Sequence, residues 1–328
     1  MRRRAFLTGL AAALAAPLAA EGQQVGKVYR VGTLHSSTRE DAAQRIAALG
    51  LSLAELGYVA GRNVVFVHRY APQLTGVAEL AAELVRAGVD VVVTSTNPTT
   101  AAMMKATTTV PIVMTIGVEP VSAGLVANIT RPGGNVTGLT FDVDPTQLAG
   151  KRLDILKELL PSLSRAAVLW NPTYGPAGLR FKGTEDAGRK LGIAVISARV
   201  TEPGELERAF AELQRARAQA VIVMSDPIIT FTQRKRIVEL AASHRLPAIY
   251  ALREFVEAGG LISYAASLVD QYRRAARYVD RIFKGARAGD LPVEQPIAFE
   301  LWINAKAAKA IGLTVPPLLL LRADRVIE

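Results

Sequence analysis

The residues able to hold a small polar solute fall at the carboxyl ends of runs that read as strands. His35, Ser36 and Ser37 follow Tyr29 to Leu34; Ser95, Thr96, Asn97 and Thr99 follow Val89 to Thr94; Gly117 and Glu119 follow Pro111 to Ile116. Further along, Asn171 and Tyr174 follow Ala166 to Trp170, Ser225 and Asp226 follow Ala220 to Met224, and Tyr250 ends Ala248 to Tyr250. Hydroxyls, amides and free backbone N–H groups at such ends suit a carboxylate or another small polar head group. A single Ser or Thr there serves equally well as a helix cap, because capping asks for the same residue at the same place. Clustering on three successive strand ends is what favours a site. Tyr174 can stack on a ligand or simply pack, and Asp226 can pair with a ligand amine or cap the next helix.

These residues do not add up to an enzyme. The three histidines, His35, His68 and His244, show neither the i, i+4 pairing nor the carboxylate spacing of a metal site. The chain has no G-x-S-x-G elbow, P-loop or G-x-G-x-x-G fingerprint, and no nucleophile with a matched base. Glu119 and Asp226 as paired acids across a cleft is the weaker use of both. With no cysteine, thiolate chemistry, disulfides and a lipid-bearing cysteine are excluded. No cofactor and no metal are expected.

The elements that must position the site alternate strand and helix, the order that builds a parallel sheet covered on both faces. The remaining first-lobe strands read as Val64 to Arg69 and Val136 to Phe141. Arg39 to Leu56 carries Ala43, Ile46, Ala47, Leu49, Leu53 and Leu56 near helical spacing, and Gly57 stops it. The alternation begins again after an amphipathic helix, Thr146 to Leu160, and runs through the strand Ala194 to Ala198. Late in the chain, Leu261 to Tyr264 reads as a strand and Leu268 to Phe283 as a long helix with Gln271, Arg273, Arg274 and Arg277 on polar faces. Tyr272 and Tyr278 are read as packing residues. In open α/β sheets ligands bind beyond the carboxyl ends of the strands, which selects the loops named above.

A chain of 328 residues, 50% apolar, suggests two domains with a core each. Its formal charge is +10, falling to about +8 without residues 1–22, which carry three arginines and one glutamate. The basic residues are scattered and lack interleaved aromatics, which disfavours nucleic acid as a partner. Arg2, Arg3 and Arg4 precede an apolar stretch, Ala5 to Leu18, too short to span a bilayer, and small residues follow. This is an export signal, with Ala20-Glu21-Gly22 the best cleavage match. Arg3-Arg4-Ala5-Phe6-Leu7 resembles a twin-arginine core, so general secretory and twin-arginine export both stand. The mature chain is expected outside the cytoplasm, in the periplasm, soluble and without a lipid anchor.

Gly124 to Gly138, GLVANITRPGGNVTG, closely resembles the signature of bacterial substrate-binding proteins of ABC transporters whose better known relatives serve tryptophan and tyrosine uptake. Lys151 to Pro172 and Gln295 to Glu328 resemble the same family, so the likeness covers nearly the whole mature chain. One departure stands out: Glu119-Pro120-Val121 occupies the place of the family's usual Asp-Pro-Val, keeping the carboxylate and lengthening its reach. The resemblance implies a type I periplasmic binding protein, with two Rossmann-like lobes joined by a three-segment hinge. It divides the chain into an export signal at 1–22, a first lobe at 27–141 plus 252–295, and a second at 142–251 plus 296–328. It further implies a monomeric solute receptor that closes on an amino acid or other small carboxylate and delivers it to an inner-membrane permease. A periplasmic sensing module reporting to a membrane signalling partner is the alternative, and a periplasmic enzyme a lesser one.

Overall fold

The computed structural model of the protein describes residues 27–142 and 145–328; the expected export signal at 1–22 and its expected cleavage site lie outside them. The first sheet contains β1 (Tyr29–His35), β2 (Val64–Tyr70), β3 (Val91–Thr94), β4 (Ile112–Gly117) and β5 (Val136–Thr140). All pair in parallel, in the order β2-β1-β3-β4-β5. Helices α1 (Arg39–Glu55), α2 (Val77–Arg86) and α3 (Asn97–Ala106) connect the strands. β3 reads Val-Val-Val-Thr and is wholly buried, as a central parallel strand covered on both faces must be. α1 begins where the Thr38 side chain accepts a hydrogen bond from Asp41 N at 3.2 Å, with Glu40 and Asp41 in the first turn to complement the helix dipole.

The second sheet holds β6 (Arg165–Trp170), β7 (Ala194–Arg199), β8 (Ala220–Val223), β9 (Ala248–Tyr250), β10 (Ile262–Ala266), β11 (Phe299–Asn304) and β12 (Arg325–Ile327). Its order is β12-β11-β10-β9-β8-β6-β7, parallel throughout except where β11 runs against β10. Helices α4 (Pro145–Leu159), α5 (Ala177–Leu191), α6 (Leu206–Arg215), α7 (Arg234–Ser243), α8 (Arg253–Glu257), α10 (Ala305–Ala310) and α11 (Pro317–Leu321) accompany this sheet.

Between them in sequence, α9 (Leu268–Phe283) returns to the first sheet. There Tyr272, Ala275, Ala276, Tyr278 and Val279 share a core with Leu49 and Leu53 of α1 and with Val91 and Val93 of β3. The sequence expectation assigned all of 252–295 to the first lobe, and this requires correction for its first part. β10 is hydrogen-bonded between β9 and β11, so α8 and β10 stay with the second sheet and the return begins at α9. Two α9 residues read as polar-face are also buried. Gln271 is 1% exposed and donates from Nε2 to Thr140 O, and Arg274, 8% exposed, pairs with Glu294 at 2.5 Å. Their polar ends serve the hinge, where α9 meets the crossing segments.

The chain passes between lobes three times, after β5, between β10 and α9, and before β11, and these passages are stitched side by side. Thr140 N donates to Glu294 O at 2.9 Å, Glu294 N to Gly138 O at 2.9 Å, and Ser267 N to Ala298 O at 3.2 Å. The Arg131-Pro132-Gly133-Gly134-Asn135 turn lies at the other end of β5. Gly133, at φ +84°, donates its N–H to Gly289 O at 3.1 Å. A Cβ on Gly289 would sit 2.1 Å from Gly133 O, so that contact requires bare backbone. Among the described residues no helix is long and apolar enough to cross a membrane.

Candidate functional site

In each sheet the strand order reverses at one point, between β1 and β3 in the first and between β6 and β8 in the second. Loops diverge there to opposite faces and leave a crevice at the carboxyl ends of the strands. The two crevices face one another around a cavity of about 60 Å³. At the roughly 10–15 Å³ that one water needs by the same measure, this is space for a few waters or a small solute. Ser36, Ser37, Ser95 and Thr96 line it from the first lobe, and Tyr174, Ser225 and Asp226 from the second. The remaining wall is largely apolar, with Ile116, Val118, Phe141, Phe231, Leu252 and Leu268.

Two arginines also line this cavity, and the sequence reading missed both. Arg45 sits on α1, 5% exposed, and its Nη2 donates to Ser37 Oγ at 3.1 Å and Asp41 O at 3.0 Å, while Nε has no partner. Arg180 sits in the first turn of α5, also 5% exposed. Its Nη1 donates to Ser225 O at 3.4 Å, its Nε lies 3.1 Å from Asp142 Oδ2, and its Nη2 has no partner. Behind it Arg152, 4% exposed, donates from Nε to Tyr264 O at 3.1 Å and leaves Nη2 unpartnered. Burial, then the neighbouring Arg180, pulls the Arg152 pKa down to about 10, so it stays charged at neutral pH. Burial pushes the Tyr174 hydroxyl up to about 12, leaving it a neutral polar group beside these cations.

Seven of the sequence-predicted residues lie elsewhere, for identifiable reasons. His35 is fully buried: side chains alternate along a strand, so the position before Ser36 points away from the cavity. It bonds Thr33 Oγ1 through Nε2 at 3.0 Å and meets Tyr272 Oη through Nδ1 at 3.3 Å. Asn97 is spent on the loop after β4, donating to Val118 O at 2.6 Å and accepting from Val118 N at 2.9 Å. Thr99 closes a capping box with Thr96, accepting from Thr96 N at 2.9 Å. Gly117 is crowded by Met114 and Leu139, and Glu119, at φ +46°, turns outside the lining. Asn171 accepts from Thr173 N at 2.9 Å, and Tyr250 stacks on Phe255 with centroids 4.8 Å apart. Asp226 does line the cavity, yet its carboxylate caps a turn, accepting from Ile228 N at 2.9 Å, Ile229 N at 2.8 Å and Thr230 N at 3.1 Å.

The buried histidines make stability depend on pH. Burial first, then Arg45 and His68, hold His35 well below the ordinary 6.5, and burial lowers His68 as well. A folded-state pKa below the unfolded one means that the unfolded chain binds more protons. Stability is therefore complete above about pH 6.5 and is lost as pH falls from there through the depressed folded values. Urea midpoints should drop between about pH 7 and pH 5, and His35→Gln should flatten that slope while lowering the midpoint at neutral pH. An unchanged slope in the variant would exclude His35 as its source.

The lobes also touch directly at the cleft edge. Arg234 of α7 pairs with Asp41 of α1 at 2.5 Å, and Arg253 of α8 donates to Gln44 of α1 at 2.5 Å. Val118 and Phe141 share one apolar cluster with Phe231, Leu252 and Leu268. The described residues contain no group of three His, Asp or Glu placed to hold a metal ion.

Two α/β lobes with parallel sheets, hinged by three passages and facing each other across a cavity at their topological switch points, define a type I periplasmic binding protein. The structure superimposes with a TM-score of 0.83 on a conserved domain protein from Vibrio cholerae, 26% identical, over 92% of this chain and 100% of that one. A domain from Streptococcus pneumoniae in complex with L-Trp gives 0.81 at 25% identity, over 91% and 99%. A ligand-free, open substrate binding protein from Clostridium difficile gives 0.72 at 20% identity, over 92% and 99%, a likeness of fold. Among curated proteins, the tyrosine-binding protein of Clostridioides difficile is 24% identical over 265 residues, 80% of this chain and 74% of that protein. The profile of the ABC transporter substrate binding protein family matches residues 40–327, and the chain belongs to that family.

Proposed function

We propose that this protein is the extracytoplasmic receptor of an ABC importer, exported to the periplasm, where it acts as a monomer without catalysing a reaction. It takes a small organic carboxylate, an amino acid or a relative of one, into the cleft, closes over it, and presents the closed form to an inner-membrane permease. One observation carries the chemistry: two buried arginines, one from each lobe, line the same small cavity with nitrogens left unpartnered. Planar guanidinium donors suit a carboxylate, and a ligand that engages both lobes is bound better by the closed state than by the open one. The tyrosine-binding relative and the neighbour in complex with L-Trp support a carboxylate of this size.

Driving closure from 1:99 to 99:1 requires about 5.5 kcal/mol of differential affinity. A ligand identified by thermal shift, which rises by mass action, should therefore reduce the radius of gyration in small-angle scattering. A demonstrated complex that scatters identically to the free protein would rule out closure as the mechanism.

A further inference from the structure

Closure of two lobes draws on every contact that exists only when they are shut, and the solute need not supply all of them. At the cleft edge Arg234 of α7 donates from Nη2 to Asp41 Oδ1 of α1 at 2.5 Å, across 193 positions of sequence, with both side chains 19% exposed. Each end of this pair is tied back to a cavity wall of its own lobe. Asp41 N donates to Thr38 Oγ1 at 3.2 Å, which caps α1 directly after Ser37, and Asp41 O accepts from Arg45 Nη2 at 3.0 Å. On the other side Arg234 Nη1 donates to Phe231 O at 3.1 Å, and the guanidinium lies 4.8 Å from the centre of the Phe231 ring. Ser37, Arg45 and Phe231 line the cavity, whereas Asp41 and Arg234 stand outside it.

These bonds fare differently when the lobes part. Those to Thr38, Arg45 and Phe231 lie within one lobe and persist, while the bond between Asp41 and Arg234 crosses the cleft and is lost. Its free energy therefore counts wholly toward the closed state. While it lasts, it holds the segment 37–45 against the segment 231–234, and with them the spacing of Arg45 and Phe231 across the cavity. Gln44, one turn further along α1, accepts from Arg253 Nη2 at 2.5 Å, but a neutral acceptor makes the weaker bond.

We infer that Asp41 and Arg234 form a latch, a positioning pair outside the cavity that keeps part of the protein closed without solute and sets the cavity walls at their binding distance. This rests on the proposal that the lobes close over a solute, and it adds a contribution to closure that the solute does not make.

The test is single-molecule energy transfer in the solute-free mature protein, with dyes on Thr75→Cys and Glu202→Cys. Both positions are exposed, and the native chain has no cysteine to compete for the dyes. They follow β2 and β7, the edge strands remote from the hinge, so labelling leaves the cleft-edge contacts intact. Asp41→Asn and Arg234→Gln should each lower the ratio of closed to open molecules about threefold to fivefold. The double variant should lose no more than either alone, and Arg234→Lys less than Arg234→Gln. Going from about 0.01 M to about 1 M salt should lower the same ratio in the unaltered protein and much less in the double variant. A ratio that neither single substitution changes, or losses that add in the double variant, overturns the latch. A drop confined to Arg234→Gln also overturns it, by assigning the effect to the Phe231 contact, as does a solute-free protein with no closed population. Solute-driven closure is judged separately, by the scattering of a demonstrated complex.

Discussion

Replacing Arg180 by methionine is expected to cost about 3 kcal/mol of stability and to weaken ligand binding about tenfold to a hundredfold. Arg180 lies 3.1 Å from Asp142, and the two side chains are 6% and 3% exposed. Removing one partner of such a pair leaves an uncompensated buried charge, which commonly costs 3–5 kcal/mol. The lower end applies here because Arg152 still supports Asp142. Removing both charges, as in Asp142→Asn with Arg180→Met, should return most of the stability without returning the affinity. Arg180→Lys should fall between, since an ammonium reproduces the charge but not the fork reaching Asp142 and Ser225 O together. Urea midpoints and titration with the ligand found by screening check both arms. Double-mutant affinity close to that of the unaltered protein would assign Arg180 to the hinge alone.

Gly138→Ala should be at least as damaging to folding, by about 3–5 kcal/mol from strain and overpacking together. Gly138 sits in β5 at φ +128°, a backbone region essentially reserved for glycine. A Cβ there would come within 2.1 Å of Met114 O and 2.7 Å of Met114 N, on the strand beside it. The ladder between β4 and β5 shifts register between Met114 and Gly117, so the close approach accompanies a local irregularity of the sheet. Four residues earlier Gly134 has nothing within 4 Å of its would-be Cβ, and Gly134→Ala should change stability by less than about 1 kcal/mol. Comparable losses at both positions in urea or thermal unfolding would remove the steric explanation.

These two positions illustrate what the chain discloses before it folds. Alternating β-branched runs and periodic helices are local, so β1 to β10 were legible to within a residue or two while β11 and β12 were not read as strands, and the strand-end rule picked out Ser36, Ser95, Tyr174 and Ser225, which line the cavity. Arg45 and Arg180 were not legible, because each stands on a helix, where a charged side chain ordinarily faces water, and is buried by tertiary contacts with Ser37 and Tyr272 or with Asp142 and Ser225. His35 was misassigned by one step of alternation, since the end of a strand marks a site while parity decides which side chains enter it. Gly138 was visible as part of Thr137-Gly138, yet its necessity lies in Met114, on a neighbouring strand. The assignment of β10 failed for a related reason: pairing partners, unlike periodicity, are not written in the segment itself.

Gln44 and Arg253 meet across the cleft edge at 2.5 Å, in a chain that contains no cysteine at all. One thiol introduced at each position would be the only two in the protein, each riding on a different lobe. Dyes attached there would separate as the lobes part, and no native thiol would need to be removed first. The pair thus marks the natural place to turn the molecule into an optical gauge for its own solute.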